Sequence, residues 1–130
     1  MKSALTISLC CWLCVTALAE PSAITGVATY YTTKSCQREG TSGTVTASGR
    51  RYNESALTCA LPFRPKEWGK KYRITNVRNG LSVIVKHMDL GPGKKARSRG
   101  VVVDLTPAAF EAIGGKLSDG KMMVRMEAAK

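Results

Sequence analysis

The chain has 130 residues, with 20 Lys+Arg against 9 Asp+Glu and a formal net charge of +11 at neutral pH. That length favours one domain, since domains cluster near roughly 100–150 residues, and 44% hydrophobic with 22% charged residues excludes disorder by composition. One histidine rules out a multi-histidine metal site, and a Cys/His zinc site would need suitably spaced cysteines; no metal or cofactor is expected, and the charge asks for an anionic partner.

Lys2 precedes an uncharged stretch from Ser3 to Ala19, and Ala17-Leu18-Ala19 is a small-x-small cleavage signal before Glu20-Pro21. Residues 1–19 are therefore read as a secretory signal peptide. The stretch is shorter than the roughly 20 apolar residues of a membrane span, and it contains Thr6, Ser8 and Thr16. Cys10, Cys11 and Cys14 do not follow a small residue at the cleavage point, which argues against lipidation. The expected product is a periplasmic or secreted chain, residues 20–130, without a stable membrane anchor. Of the five cysteines, Cys36 and Cys59 remain after cleavage. In an oxidising compartment they are expected to form one structural disulfide. A catalytic cysteine is disfavoured, because that chemistry usually wants a histidine partner and a reducing setting.

Glu20–Ala23 reads as a loose leader. Ile24–Tyr31 alternates and is β-branched and aromatic, which predicts a strand. Thr32–Gly49, rich in Thr, Ser and Gly, predicts loops with a short strand near Thr44–Thr46. A further short strand is expected at Ala56–Cys59, and Pro62 and Pro65 exclude a regular central strand across Leu61–Trp68. Lys71–Val77 and Leu81–Met88 flank Arg78-Asn79-Gly80, and Asn-Gly between alternating runs is a strong hairpin signal. Gly91–Gly100 reads as a basic loop and Val101–Leu105 as a buried strand. Thr106-Pro107 opens a short helix to about Ile113, with Thr as N-cap and Pro at the first position. Lys121–Met126 is the last strand. The sum is one mainly β domain of about six strands and one short helix, whose strand number suggests a small barrel.

Few carboxylates compete for a chemical role. Glu20, Glu54, Glu67, Glu111, Asp119 and Glu127 read as solvated surface groups, leaving Glu39, Asp89 and Asp104. Asp89 ends an apolar strand and precedes Leu90-Gly91-Pro92-Gly93, where glycines let a polymer approach the backbone. Partial desolvation there would suit general acid work. His87, two residues earlier, falls on the same strand face, although its plainer reading is a polar side chain facing solvent. Asp104 precedes the helix start and is expected to bond backbone amides at that turn. Glu39 lies three residues beyond Cys36 and is either a second acid or a loop residue.

Several segments in order resemble the double-psi β-barrel domain of the rare lipoprotein A (RlpA-like) family: Thr46-Ala47-Ser48-Gly49 with Tyr52-Asn53, Ala56-Leu57-Thr58-Cys59-Ala60 with Leu61-Pro62-Phe63, and Tyr72-Arg73-Ile74-Thr75-Asn76-Val77 with Asn79-Gly80. Ser82-Val83-Ile84-Val85, Asp89-Leu90-Gly91-Pro92 and Val103-Asp104-Leu105-Thr106 complete the set, which covers about residues 24–127. The resemblance implies a small six-stranded double-psi β-barrel. It also implies an endolytic lytic transglycosylase that cuts peptidoglycan glycan strands and leaves 1,6-anhydro-muramic acid ends. Asp89 maps onto the family's catalytic acid/base and Asp104 onto a structural aspartate. Family members usually carry a histidine before the Leu-Pro-Phe-like segment and often an arginine after the motif aspartate. This chain has Cys59-Ala60 before Leu61-Pro62, and Leu90 after Asp89.

One carboxylate can serve both steps of a lytic transglycosylation, whereas hydrolysis normally takes two. On this reading Asp89 acts with His87 or Glu39 tuning it, and Lys94, Lys95, Arg97 and Arg99 attract an anionic wall polymer. The alternative is a non-catalytic, expansin-like wall-binding module, which the same basic loop would serve. Export and the lack of a nucleic-acid motif argue against nucleic acid as partner, and a monomer is expected.

Overall fold

Six strands alternate inward and outward so that one row of side chains fills a closed barrel. The structure, a computed structural model, describes residues 23–130, so the expected signal peptide at 1–19 lies outside the described residues. The strands are β1 Ile24–Tyr30, β2 Thr58–Leu61, β3 Lys71–Asn76, β4 Ser82–Leu90, β5 Val101–Leu105 and β6 Lys121–Ala128. They close in the order β1-β5-β2-β4-β3-β6. The β1–β5 and β2–β4 pairs are parallel and the other pairings antiparallel. The predicted hairpin is present between β3 and β4, with Gly80 at φ +76° in the turn.

Alternation fixes the core. Tyr72 and Ile74 of β3, Val103 and Leu105 of β5, and Val124 and Met126 of β6 point inward and are buried. Each such aliphatic side chain contributes roughly 1.5–3 kcal/mol on burial. The predicted helix is present as α3 Pro107–Ala112: Thr106 caps it through the Ala109 amide, and Phe110 and Ile113 are fully buried in the core. Its C-terminal end is tied to the hairpin, because Asn76 and Asn79 both donate to the Ile113 carbonyl, at 2.8 and 3.0 Å. That satisfies an acceptor the helix itself leaves open.

Three expectations about local structure need correction. The helical content is larger than one helix: α1 Thr33–Arg38, α2 Lys94–Ser98 and a 3-10 turn Leu117–Asp119 accompany α3. Thr32-Thr33-Lys34-Ser35 looked like loop sequence, but it forms a capping box in which Thr32 and Ser35 satisfy each other's backbone amides. The stretch near Thr44–Thr46 contributes only an isolated bridge, Val45 to Arg51. The expected disulfide is also absent, because Cys36 on α1 and Cys59 on β2 are both free thiols. Cys59 is fully buried in the core cluster, whereas Cys36 is half-buried beside an open cleft.

Candidate active site

The parallel pairing of β2 with β4 and the antiparallel pairing of β2 with β5 decide where the acids meet. Ala60 of β2 pairs with Asp89 on one side and Asp104 on the other. Neighbouring strands lie about 4.8 Å apart, so the two aspartate backbones stand roughly 10 Å apart with only a methyl group between them. Both line an open cleft of about 600 Å³, together with Tyr31, Ala60 and Gly91. Gly91 lies so close to Asp104 that a Cβ there would sit 3.0 Å from its Oδ2, at a backbone φ of +146° that disfavours any side chain.

Donors reach both oxygens of the Asp89 carboxylate. Tyr31 donates its hydroxyl to Oδ2 at 3.0 Å, while the amides of Ala47 and Leu90 donate to Oδ1, each at 2.9 Å. The Ala47 amide is presented by the Thr46-Ala47-Ser48-Gly49 turn. That turn is closed by Thr46 N–H to Arg50 O and held to β4 by Ser48 N–H to the Met88 carbonyl. Tyr31 stacks on Tyr52 with ring centroids 4.6 Å apart, and Tyr52 donates to the Tyr31 carbonyl at 2.6 Å. Burial, and then the negative charge of Asp89, push the Tyr31 hydroxyl far above its ordinary range, so it stays a proton donor at neutral pH.

Asp104 does not bond backbone amides at the helix turn as expected. Its Oδ1 takes a short hydrogen bond from the Thr29 hydroxyl of β1. Burial raises its carboxyl above the usual carboxylate range, and the Thr29 bond opposes that shift. Glu39, at the end of α1, is exposed but lines the same cleft.

His87 corrects the expectation of a solvent-facing side chain: its relative exposure is 0%. A bulge between Cys59 and Ala60 breaks the β2–β4 register at Met88, so His87 and Asp89 do not simply share a face. The imidazole is ringed by Phe63, Trp68 and Tyr72 at centroid distances of 5.2, 5.1 and 6.4 Å. Nε2 lies 2.9 Å from the Asp89 backbone carbonyl. A carbonyl can only accept, so Nε2 carries the proton and Nδ1, which has no hydrogen-bond partner, carries the lone pair. Burial lowers the pKa of His87 below its ordinary value, against the pull of Asp89.

The four basic residues lie on or beside α2, and only Arg97 lines the cleft with the acids. Arg99 lines a separate depression with Val27 and Lys121. Cys36 reaches the main cleft, but burial and the nearby Glu39 push its thiol upward, and burial pushes Cys59 up to about 12. Both are poor nucleophiles. Sequence reasoning missed Tyr31, Tyr52 and the Ala47 amide. The aromatic pair at the end of β1 and the Thr-Ala-Ser-Gly turn were the signals available for them.

The closed six-stranded order with two parallel pairings defines a double-psi β-barrel, and solved structures share it. A Streptomyces papain inhibitor superposes with a TM-score of 0.60 at 20% identity, covering 86% of this chain and 98% of its own. An expansin from Clavibacter michiganensis gives 0.59 at 19% identity, over 84% of this chain and 51% of its own. These likenesses concern the fold alone. At the level of sequence, the lytic transglycolase family matches residues 23–126, and the chain belongs to that family. A probable endolytic peptidoglycan transglycosylase RlpA from Nostoc sp. is 38% identical over 105 residues, covering 78% of this chain and 24% of the relative. The endolytic peptidoglycan transglycosylase RlpA of Pasteurella multocida is 36% identical over 102 residues, covering 78% and 30%. The chain thus spans under a third of the length of these relatives.

Proposed function

We propose that this barrel is a catalytic unit that cuts peptidoglycan glycan strands by lytic transglycosylation, outside the cytoplasm. The supporting observation is the carboxylate of Asp89 on the floor of an open cleft, with Tyr31 and Ala47 donating to its two oxygens. In the proposed reaction the protonated Asp89 gives its proton to the glycosidic oxygen as that bond breaks. The resulting carboxylate then accepts the proton of the muramic acid 6-hydroxyl as its oxygen closes onto C1, leaving a 1,6-anhydro end. Tyr31 orients the carboxylate, and the backbone held by His87 keeps it in register. Asp104, lining the same cleft across Ala60, is placed to hydrogen-bond a sugar hydroxyl.

Purified sacculi digested with the protein and resolved by mass give the test. Anhydro-muramic ends are expected from the wild type and are lost in Asp89→Asn. Reducing muramic acid ends would mean hydrolysis, which a second carboxyl such as Asp104 permits, and would overturn the reading. Retention on sacculi without any product would favour the binding-module alternative.

A further inference from the structure

On the far side of the Thr46–Gly49 turn lies a second depression of about 590 Å³, lined by Ser48, Arg50, Trp68, Lys71, Lys86 and Met88 but by no carboxylate. Lys71 of β3 and Lys86 of β4 are directly paired across the sheet. The Lys86 amide bonds outward to Leu57 and the Lys71 carbonyl to Ala129, so the two face each other at a non-hydrogen-bonded position. At such positions Cβ atoms approach to about 4.5–5.5 Å, and like charges directly opposite destabilise a sheet. Among the described residues neither lysine has an ion-pair partner within 4 Å; the one such pair is Arg125–Glu127. Arg50 adds a third cation, and Trp68 lines the same depression. The depression adjoins the cleft at two points. Arg64, which lines the cleft, lies over the Trp68 ring at 5.6 Å, and the turn that supplies the Ala47 amide to Asp89 also supplies Ser48 and Arg50 here.

We propose that Arg50, Lys71 and Lys86 form an accessory subsite that binds a carboxylate carried by the glycan polymer, with Trp68, Arg64 over its ring, forming the wall beside the cations. The uncompensated lysine pair is then a stability cost retained for ligand binding. Two carboxylates fit this chemistry, the acids of the stem peptides and the lactyl acid of muramic acid, which is free only where the stem peptide has been removed. The subsite rests on the reading of the cleft as a glycan site. Its test measures retention, while anhydro-end release by the wild type reports separately on cleavage.

Cosedimentation with sacculi stripped of phosphate polymers, in the Asp89→Asn background, compares Lys71 and Lys86 intact with Lys71→Gln/Lys86→Gln. The double variant is expected to bind about fivefold to tenfold more weakly at low salt, as loss of two exposed charge contacts implies, with the difference vanishing at high salt. Its Tm is expected to hold or rise, since the like-charge pair is gone. Capping the sacculus carboxylates as methylamides should weaken the intact protein equally. Treatment with an amidase, which removes the stem peptides and frees the lactyl acids, strengthens the lysine effect if the lactyl acid is bound and abolishes it if the stem acids are. Equal retention by both proteins on intact and on amidase-treated sacculi, indifference to capping on both, or a Tm that falls in the double variant would each overturn the subsite, whatever the outcome for cleavage.

Discussion

Removing the His87 side chain separates the scaffold's stability from the placement of the proposed acid. In His87→Ala, a fully buried ring with three aromatic neighbours is replaced by a cavity. Loss of a buried ring of this size costs about 3 kcal/mol. The Asp89 carbonyl, left without its donor, adds about 1 kcal/mol, and removal of the unpartnered Nδ1 returns about the same. The net loss of about 3 kcal/mol lowers Tm by roughly 12 °C or more in a domain of this size. His87→Phe keeps the ring's packing and removes Nδ1, so its stability should stay within about 1–2 kcal/mol of the wild type. Both variants lose the bond that fixes the Asp89 backbone, and a misplacement of about 1 Å costs on the order of 100-fold in rate. Anhydro-end release should therefore fall by about tenfold to 100-fold in His87→Phe, even where the protein is nearly as stable as wild type. His87→Gln, whose amide can return a donor near the Nε2 position, should recover part of the rate. Thermal unfolding by circular dichroism and product release from sacculi are read side by side. Wild-type rates in a folded His87→Phe protein would refute a positioning role.

The same residue sets a pH dependence. The unfolded chain takes up the histidine proton near the ordinary value of about 6.5, and the folded chain only at lower pH. Between those points the unfolded state binds more protons, so stability declines as pH falls, by at most about 1.4 kcal/mol per unit. His87→Phe should flatten that decline.

Asp104→Asn should stabilise the protein at neutral pH, because the native carboxyl is raised and its ionised form is disfavoured. Stability from that group is present below about pH 3.8–3.9 and is lost as pH rises through the folded value, so the gain should vanish in acid; equal Tm differences at pH 3 and pH 7 would contradict it. Tyr31→Phe removes one donor to Asp89 while keeping the stack on Tyr52, and product release should fall by about tenfold, the effect of one hydrogen bond to a charged group, with little change in Tm. Alkylation of the folded protein, mapped peptide by peptide, should modify Cys36 and spare Cys59 until denaturant is added; a mass two hydrogens lower with neither thiol labelled would show a bridge instead. Gly115→Ala places a methyl 2.4 Å from the Phe110 ring and 2.3 Å from Met122 Cε, and should cost about 1–3 kcal/mol by overpacking.

The strands were readable because period-two alternation and Asn-Gly chemistry are local signals, and the barrel asks little more of Lys71–Asn76, Val101–Leu105 or Lys121–Ala128. The Thr106-Pro107 helix start was readable for the same reason. Asp89 stood out because few carboxylates competed with it. What stayed hidden depended on partners distant in sequence. Alternation put His87 on the inward face of Val85, but it looked solvated because an imidazole is polar and its enclosing Phe63, Trp68 and Tyr72 lie elsewhere in the sequence. Asp104 looked like a turn residue because Thr29, its bonding partner, lies 75 residues away across the β1–β5 pairing. The cysteines were paired on compartment and number, which say nothing about where two thiols point.

Topology explains why the site occupies this end of the barrel. A parallel β2–β4 pair and an antiparallel β2–β5 pair bring the ends of β4 and β5, one carrying Asp89 and the other Asp104, to the two flanks of the same residue. That residue is Ala60, almost fully buried, and its methyl leaves the floor between the acids open. A larger side chain at 60 would intrude on the cleft between the acids, and a side chain at 91 would press on Asp104. The small residues at 60 and 91 thus serve the cleft as directly as the aspartates do. The core row of Ile74, Val85, Val103 and Val124 beneath bears the stability that the cleft, with its raised Asp104 and unpartnered imidazole nitrogen, gives up.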